Sequence, residues 1–436
     1  MNVDTLISAR WIIPVEPKNA VYENHSIAIK DGKIEAILPT EKAAGKYTAN
    51  EEHHLQKHAL IPGLINAHTH AAMNLFRGLA DDLPLMDWLN NHIWPAEAKW
   101  VNPEFVKDGT ELAIAEMIRG GTTCFNDMYF FPDQTAEVCS QVGMRVTVGL
   151  ILIDFPTAWA KDADDYLVKG EQVHDKYKHD SLINTAFAPH APYTVSDEPL
   201  KRIYVIAEEL DIPIHMHIHE TAFEVEQSVE QHGKRPLQRL NELGILSPRT
   251  IAVHMTQLNE DEINELTKLN VSVAHCPESN LKLASGFCPV GDLVKAGVNV
   301  CIGTDSTASN NDLDMFGEMR TAALLAKGIS NDSTCLDAQT TLQMATLNGA
   351  KALGLDGTIG SLKKGKQADI VAINLDQLET APLYEPVSQI VYSANRQQVT
   401  DVWISGKQLL KNRELTTMEY TKLMEKAKSW EKKIKE

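Results

Sequence analysis

The sequence predicts an α/β protein built on a (β/α)8 barrel of the TIM type, with a small β-sandwich formed by the two ends of the chain. Two observations favour the barrel. Eight short apolar segments alternate with segments of helical character through the centre of the chain, which is the pattern of a parallel barrel. Histidines and carboxylates gather where these apolar segments end, and barrel enzymes carry their chemistry at the carboxyl ends of the strands.

Both ends of the chain contain short apolar runs separated by turn signals. Asp31-Gly32 lies between SIAIK and KIEAIL and predicts a two-residue hairpin. A similar pattern returns late in the chain, in QADIVAINL and TDVWISGKQLL. We therefore expect residues 1–57 and 366–436 to pair in one β-sandwich beside a barrel of residues 58–365. The charged tail, TTMEYTKLMEKAKSWEKKIKE, is predicted to be a surface helix.

The eight predicted barrel strands are apolar almost throughout, as expected for strands buried on both faces. In order they are HALIPGLINAH, TTCFND, RVTVGLILI, LINTAFAP, IPIHMHIH, TIAVHM, VSVAHC and NVCIGTD. One intervening helix is predicted over DEPLKRIYVIAEEL, where Ser196 is a suitable N-cap and acidic residues occupy the first turn.

Composition excludes several classes of protein. A chain of 436 residues is long enough for one large catalytic domain and a smaller appendage. It has no apolar run of about 18 residues and no signal-peptide pattern at its N-terminus, so we expect a cytoplasmic protein without a membrane partner. A net charge of −18 repels phosphate backbones and argues against nucleic acid as a partner. The six cysteines show no regular spacing, which favours reduced, mostly buried thiols.

Candidate metal ligands follow the first and fifth predicted strands. His68-Thr69-His70 ends the first strand, and residues at i and i+2 of a strand share one face, so two imidazoles there can hold one ion. The fifth strand ends with His215, His217 and His219, followed by a glutamate. By spacing alone, any of these three histidines could be a ligand.

The last three strands add further polar ends. His254 ends the sixth strand, His275 the seventh and Asp305 the eighth. Histidine ligands with one carboxylate and an open position suit zinc or, less often, ferrous iron. Such an ion lowers the pKa of a coordinated water toward neutrality, which favours attack on an electrophilic carbon. The sequence therefore predicts hydrolysis or hydrolytic deamination of a small molecule.

Four stretches carry a resemblance to a known family: PGLINAHTHAAMNLFRG, HIHET, VAHCPESNLKLASG and GTDSTASNNDLDMFGEMR. They resemble the amidohydrolase superfamily and, within it, most closely the 5′-methylthioadenosine/S-adenosylhomocysteine deaminases. The similarity covers nearly the whole chain, including the split β-sandwich. It implies a deaminase that converts the 6-amino group of an adenosine-type nucleoside to the inosine form and releases ammonia.

The resemblance also implies roles for individual residues. The metal ligands implied by it are His68, His70, His217 and Asp305. This choice leaves His215 and His219 as neighbours of the site.

The remaining implied roles are catalytic or substrate-binding. Glu220 protonates the ring nitrogen beside the attacked carbon, and His254 orients the water. Asp305 receives the proton of that water and passes it to the departing ammonia. Glu97, in WPAEAKW, corresponds to a carboxylate that holds the ribose hydroxyls, and His190, in APHAPY, to another histidine that contacts the substrate.

Two features refine these expectations. Members of the superfamily with two metal ions need a bridging group, usually a carboxylated lysine, after the third or fourth strand, but LILID and FAPHAPY contain no lysine. We therefore expect one divalent ion per chain, zinc rather than iron. Members that bind the homocysteine carboxylate place arginines after the third strand, whereas none occurs here between Arg145 and Arg202. Unless a lysine such as Lys161 substitutes, methylthioadenosine should be preferred to S-adenosylhomocysteine.

Two alternatives stay open at this point. Related barrels with the same ligands act on guanine, 8-oxoguanine, cytosine or chloro- and amino-triazines, and Glu97 argues against them because it corresponds to a sugar-binding residue. A metal-free assembly protein on the same scaffold should have lost ligands, whereas all four positions are filled. The sequence leaves open the native metal, the preferred 5′ tail, the pathway and a possible homo-oligomer.

Overall fold

The computed structural model describes residues 1–436. The chain forms sixteen β-strands, which in chain order are β1 (Asn2–Ile12), β2 (Tyr22–Lys30), β3 (Lys33–Pro39), β4 (Thr48–Pro62), β5 (Leu64–Thr69), β6 (Thr122–Asp127), β7 (Arg145–Leu152), β8 (Ile183–Pro189), β9 (Ile214–Ile218), β10 (Thr250–His254), β11 (Ser272–His275), β12 (Val300–Ile302), β13 (Ile370–Asn374), β14 (Val399–Ile404), β15 (Lys407–Lys411) and β16 (Glu414–Leu415).

Helices connect most of these strands. The α-helices are α1 (Thr40–Lys46), α2 (Leu85–Trp88), α3 (Trp94–Trp100), α4 (Pro103–Arg119), α5 (Pro132–Val142), α6 (Ala163–Tyr177), α7 (Asp197–Leu210), α8 (Ala222–His232), α9 (Pro236–Glu242), α10 (Glu260–Leu269), α11 (Pro277–Lys282), α12 (Val290–Ala296), α13 (Met315–Ser330), α14 (Ala338–Met344), α15 (Leu347–Ala352), α16 (Pro386–Tyr392) and α17 (Tyr420–Lys435). Short 3₁₀ helices span Ala71–Phe76, Leu378–Thr380 and Arg396–Gln398, and a π-helical turn spans Leu89–Ile93.

The central strands form the predicted parallel barrel. Strands β5 to β12 pair in sequence order, each parallel to the next. The ring is closed by a parallel bridge between Thr69 and Asp305, where the Asp305 amide donates to the His68 carbonyl at 3.0 Å. The carboxyl ends of all eight strands therefore meet at one end of the barrel, and this end carries the polar residues.

The two ends of the chain meet in a second sheet, as predicted. It is mixed and has eight strands in the order β16-β15-β14-β13-β4-β1-β2-β3. The antiparallel pair β4 and β13 joins the N-terminal and C-terminal segments. The hairpin at Asp31-Gly32 is also confirmed, because Lys30 pairs with Lys33 and both turn residues have positive φ, +52° and +73°, as a type I′ turn requires.

The first predicted barrel strand is divided in the structure. Residues up to Pro62 belong to β4 and the mixed sheet, and the barrel strand β5 begins at Leu64. Gly63 lies between them, and a Cβ there would be 1.8 Å from Thr123 Oγ1. The chain thus passes from one sheet to the other where the Gly63 backbone lies against the Thr123 side chain, which the continuous apolar run HALIPGLINAH does not reveal.

The mixed sheet is tied to the barrel by a buried ion pair. Arg145, the first residue of β7, donates from Nε and Nη2 to the two carboxylate oxygens of Asp369 at 3.0 and 3.3 Å. The C-terminal helix α17 packs on the barrel through Trp430, whose ring lies 5.2 Å from that of Phe105 and whose indole nitrogen donates to Asp108. All six cysteines are free thiols, and five are buried. None of the helices combines the length and apolar character needed to cross a membrane.

Candidate active site

Four side chains converge at the carboxyl end of the barrel. The ligand atoms of His68, His70, His217 and Asp305 all lie within 4.8 Å of one another. Asp305 Oδ1 is 3.3 Å from Nε2 of His68 and 3.2 Å from Nε2 of His70. Nε2 of His217 is 3.2 Å from Nε2 of His68. Tetrahedral ligands about 2.0–2.2 Å from one ion are separated by roughly 3.3–3.6 Å, so this spacing fits a single metal ion.

The protonation of the imidazoles also fits a cation. Nδ1 of His70 lies 2.6 Å from the Met128 carbonyl oxygen, and Nδ1 of His217 lies 2.8 Å from that of His190. A carbonyl oxygen only accepts, so both Nδ1 atoms carry hydrogen and both Nε2 atoms of the neutral rings carry lone pairs. Converging lone pairs next to a carboxylate repel one another, and a divalent ion at their centre removes that repulsion.

Asp305 is oriented by two serines. Its Oδ2 accepts hydrogen bonds from Ser279 Oγ at 2.6 Å and Ser309 Oγ at 2.9 Å, which leaves Oδ1 for the histidines. Burial opposes the charge of this carboxylate, but its contacts with His68 and His70 outweigh the effect of burial and hold the pKa of Asp305 well below its usual range. The Asp305 side chain is therefore ionised, as a metal ligand must be.

The two histidines of β9 and His219, which follows this strand, occupy different environments. Only His217 lies in the four-residue cluster. His215 is fully buried, with Nε2 2.9 Å from Nδ1 of His68. His219 follows the strand with a φ of +54°, and its Nε2 accepts a hydrogen bond from the Leu237 amide. The neighbours His215 and His219 are thus distinguished from His217 by position, although all three alternate in the sequence.

A cavity of about 510 Å³ opens next to the cluster. It brings together all the other residues to which the sequence analysis assigned a role, and these are Glu97, His190, Glu220 and His254. Tyr129 also lines this cavity, and its hydroxyl donates to Glu97 Oε1 at 2.8 Å. Removal of the Glu97 carboxyl from water raises its pKa to about 7.

A π-helical turn shapes one wall of the cavity. The segment from Leu85 to Trp100 is helical throughout, with the π-turn Leu89–Ile93 between α2 and α3. Residues on both sides of this turn line the cavity, including Trp88, Trp94 and Glu97. The wider turn changes the angular register of the helix, and such turns are frequent at functional sites. Nothing in the residue pattern predicts it.

Polar side chains of the predicted site also line the cavity. Burial raises the pKa of Glu220, which favours a protonated carboxyl that can donate. Nδ1 of His254 lies 2.8 Å from Asn280 Oδ1 and therefore carries hydrogen, which leaves the lone pair on Nε2. Burial lowers the pKa of His190 to about 3, so this ring is neutral. Its Nδ1 lies 3.0 Å from Thr194 Oγ1.

The remainder of the cavity lining is mostly apolar and lacks a lysine or arginine side chain. Its wall includes Leu89, Trp94, Ile153 and Phe155, and the ring centroids of Trp94 and Phe155 are 6.4 Å apart. No lysine or arginine lines the cavity. Lys161, considered above as a substitute for the missing arginines, is also absent from the lining; its Nζ is 4.0 Å from Asp162.

Sequence reasoning missed several residues that hold the site in place. Asp127 accepts from the amide of Ala71, directly after His70, at 2.7 Å. Glu224 accepts from the amides of His219 and Glu220, at 2.9 and 2.7 Å. The pattern Thr221-x-x-Glu224 is a capping-box signal that could have identified Glu224. Asp127 ends the second predicted barrel strand, so the presence of carboxylates at strand ends was the signal for it.

A model of the amidohydrolase family matches residues 59–409. The chain belongs to the amidohydrolase family. It is 52% identical to the 5-methylthioadenosine/S-adenosylhomocysteine deaminase of Saccharophagus degradans, over 99% of this chain and 97% of the relative. The crystal structure of an adenosine deaminase from Xanthomonas campestris with bound zinc covers 100% of this amidohydrolase and 99% of its own chain, with a TM-score of 0.99 and 55% identity.

More distant amidohydrolases share the architecture. The atrazine chlorohydrolase of Arthrobacter aurescens, solved with zinc, has a TM-score of 0.92 at 21% identity and covers 98% of this chain and 99% of its own. At this identity the likeness concerns the fold alone. The metal-dependent character of the family agrees with the four-residue cluster, while the substrate has to be argued from the cavity.

Proposed function

We propose that this amidohydrolase is a hydrolytic deaminase of adenosine-type nucleosides, with 5′-methylthioadenosine as its preferred substrate. The observation that carries the proposal is the position of Glu97. Its carboxyl group lines the same cavity as the metal cluster and Glu220. A carboxylate there can accept two hydrogen bonds from a ribose diol while the purine ring reaches the cluster. Relatives over nearly the full length are named as deaminases of such nucleosides.

In the proposed site, His68, His70, His217 and Asp305 hold one divalent ion, most consistently zinc. When bound, the ion lowers the pKa of a water molecule toward neutrality. Nε2 of His254, whose Nδ1 hydrogen is held by Asn280, accepts from this water and orients its oxygen toward carbon 6 of the purine.

The remaining steps move protons and break the C–N bond. As the water oxygen bonds to carbon 6, the protonated Glu220 donates to the neighbouring ring nitrogen, which keeps the ring neutral. Nε2 of His254 takes the first proton of the water and returns it to the Glu220 carboxylate, whose Oε1 lies 3.9 Å away. Asp305 receives the second proton of the water and delivers it to the amino group. The C–N bond then breaks, ammonia leaves, and the product is the inosine form. This sequence uses the raised pKa of Glu220 and the ionised state of Asp305.

The apolar wall supports the choice of substrate. Trp94, Ile153 and Phe155 suit a methylthio group, because burial of apolar surface is favourable at about 25 cal/mol per Å². The carboxylate of a homocysteine tail needs a cationic partner to compensate its loss of water, and the cavity lining contains none.

A substrate comparison tests the proposal. Zinc-loaded protein is assayed for ammonia release from methylthioadenosine, S-adenosylhomocysteine and adenosine, and in parallel from adenine, guanine, 8-oxoguanine, cytosine and an amino-triazine. We expect the ribosides to react with kcat/KM well above that of every free base or triazine. A free base or triazine that reacts faster than the ribosides would reject the nucleoside assignment.

A further inference from the structure

The three histidines of the cluster differ in what their second ring nitrogen contacts. His70 and His217 each donate from Nδ1 to a backbone carbonyl, of Met128 and His190 respectively. A carbonyl cannot donate, so it fixes the tautomer of the ring that contacts it. Both rings therefore present a lone pair on Nε2 to the cluster, and no other side chain is needed to fix their tautomer.

His68 has no carbonyl partner. Its Nδ1 lies 2.9 Å from Nε2 of His215, and both side chains are completely buried. An imidazole nitrogen can donate or accept, so this contact allows two arrangements. Only one of them leaves a lone pair on the Nε2 atom of His68 that faces His217 and Asp305.

The two arrangements have different consequences for the cluster. If His215 Nε2 donates, the hydrogen of neutral His68 lies on Nε2, where it blocks metal binding. If His215 Nε2 accepts, the hydrogen of His68 lies on Nδ1, and Nε2 is free. His215 then carries its own hydrogen on Nδ1, an atom that is buried without a hydrogen-bond partner.

We propose that His215 is a positioning residue for the metal centre. It accepts a hydrogen bond from His68 and holds that ring in the tautomer and orientation that direct Nε2 to the ion. The two rings meet edge to face, with centroids 4.9 Å apart and planes at 69°, so the contact restrains the rotation of His68 as well. The inference rests on the proposed metal centre and is independent of the substrate.

Two substitutions of His215 distinguish the presence of a hydrogen-bond acceptor for His68 from its absence. His215→Gln provides a carbonyl oxygen for His68 Nδ1, whereas His215→Met has a similar shape and no strong acceptor. His219→Gln is the matched control, because His219 lies in the same segment, is equally buried and bonds to the Leu237 amide instead of a ligand. The full-length protein is used throughout.

Zinc affinity is measured by competition with a chelator. Loss of an outer partner of a ligand typically weakens metal binding 10- to 100-fold. We expect the zinc dissociation constant to rise by this factor for His215→Met, to rise less for His215→Gln and to stay at the parental value for His219→Gln. Cobalt substitution gives a second readout, since a rotated His68 changes the visible absorption bands of bound Co²⁺.

Three results would overturn the inference. The first is a parental zinc dissociation constant and cobalt spectrum for His215→Met. The second is equal weakening in His215→Gln and His215→Met. If His215→Met does not fold, His215→Asn replaces it, because the asparagine side chain is one methylene shorter than glutamine and its carbonyl oxygen lies further from His68. A parental zinc dissociation constant for His215→Asn would then overturn the inference in the same way. The third, absence of zinc binding by the parent protein, would reject the metal centre itself and is distinguishable from the other two.

Discussion

Nε2 of His254 lies 3.9 Å from Oε1 of Glu220 across the wall of the cavity. Glu220 follows the end of β9 and His254 ends β10, and both side chains line the cavity next to the cluster. Glu220 precedes α8, yet it does not cap that helix, because the Thr221 side chain accepts the hydrogen bond from the Glu224 amide. The position of Glu220 is therefore explained by the cavity and not by the stability of α8.

Replacement of Glu220 by glutamine should separate chemistry from folding. Glu220→Gln removes the titratable proton and keeps the shape, so kcat should fall by roughly 10²–10⁴-fold. Metal content should stay near the parental level, and stability should change by about 1 kcal/mol or less, since no cap is lost. Measurements of kcat, metal stoichiometry and melting temperature check this. Glu226→Gln, on the exposed side of α8, is the control, and near-parental kcat in Glu220→Gln would remove Glu220 from the mechanism.

The assignment of His217 as a ligand predicts a contrast with His219, two residues further along the chain. His217→Ala removes one of the four converging ligand atoms, so the protein should lose metal and activity together. His219→Ala should retain about one zinc ion per chain, because His219 bonds to backbone away from the cluster. Elemental analysis of purified protein measures both. Retention of metal by His217→Ala, with loss in His219→Ala, would reverse the assignment.

The apolar wall predicts the order of substrates. Because no lysine or arginine lines the cavity, kcat/KM for methylthioadenosine should be at least as high as for S-adenosylhomocysteine. An arginine at the wall should change this order: Phe155→Arg places a cation where the tail is expected and should raise the relative activity toward S-adenosylhomocysteine. Steady-state kinetics with both substrates test the order. Clearly faster turnover of S-adenosylhomocysteine by the parent would contradict it.

Glu97 predicts a pH dependence of substrate binding. Its pKa is raised to about 7 by loss of water around the carboxyl, and only the ionised form accepts from both ribose hydroxyls. A raised carboxyl pKa means that protons compete with the riboside below pH 7, so KM for methylthioadenosine should rise as the pH falls from about 8 to 6.

The free base provides the control for this effect. Adenine lacks the ribose, so its inhibition constant should not follow the ionisation of Glu97. Glu97→Gln should raise KM for methylthioadenosine at high pH and abolish the further rise of KM below pH 7. Tyr129→Phe removes the hydrogen bond to Oε1 of Glu97, so the pH at the midpoint of the KM rise should increase. The same pH profile for adenine and methylthioadenosine would show that another group is responsible.

Much of the fold could be predicted because its signals are local. All eight barrel strands and the hairpin at Asp31-Gly32 follow from apolar runs and turn residues. The helix Asp197–Leu210 was also predicted with its exact bounds, although the Ser196 side chain makes no capping hydrogen bond. The transfer of the chain between sheets at Gly63 was missed, because it depends on the close approach of Thr123, a contact between residues distant in sequence.

In the candidate site, too, local residue spacing predicted one part of the arrangement and contacts between distant segments decided the rest. Alternate spacing predicts that His215, His217 and His219 share one face of a strand, and spacing by itself determined no more than this, because only the family resemblance singled out His217. Successive residues on one face differ in height by roughly 6.6 Å. The stagger of the barrel strands decides which of the three histidines lies level with His68, His70 and Asp305, and this stagger is a tertiary property. In the structure His217 lies level with them, His215 lies behind His68, and a φ of +54° turns His219 toward the backbone of Leu237.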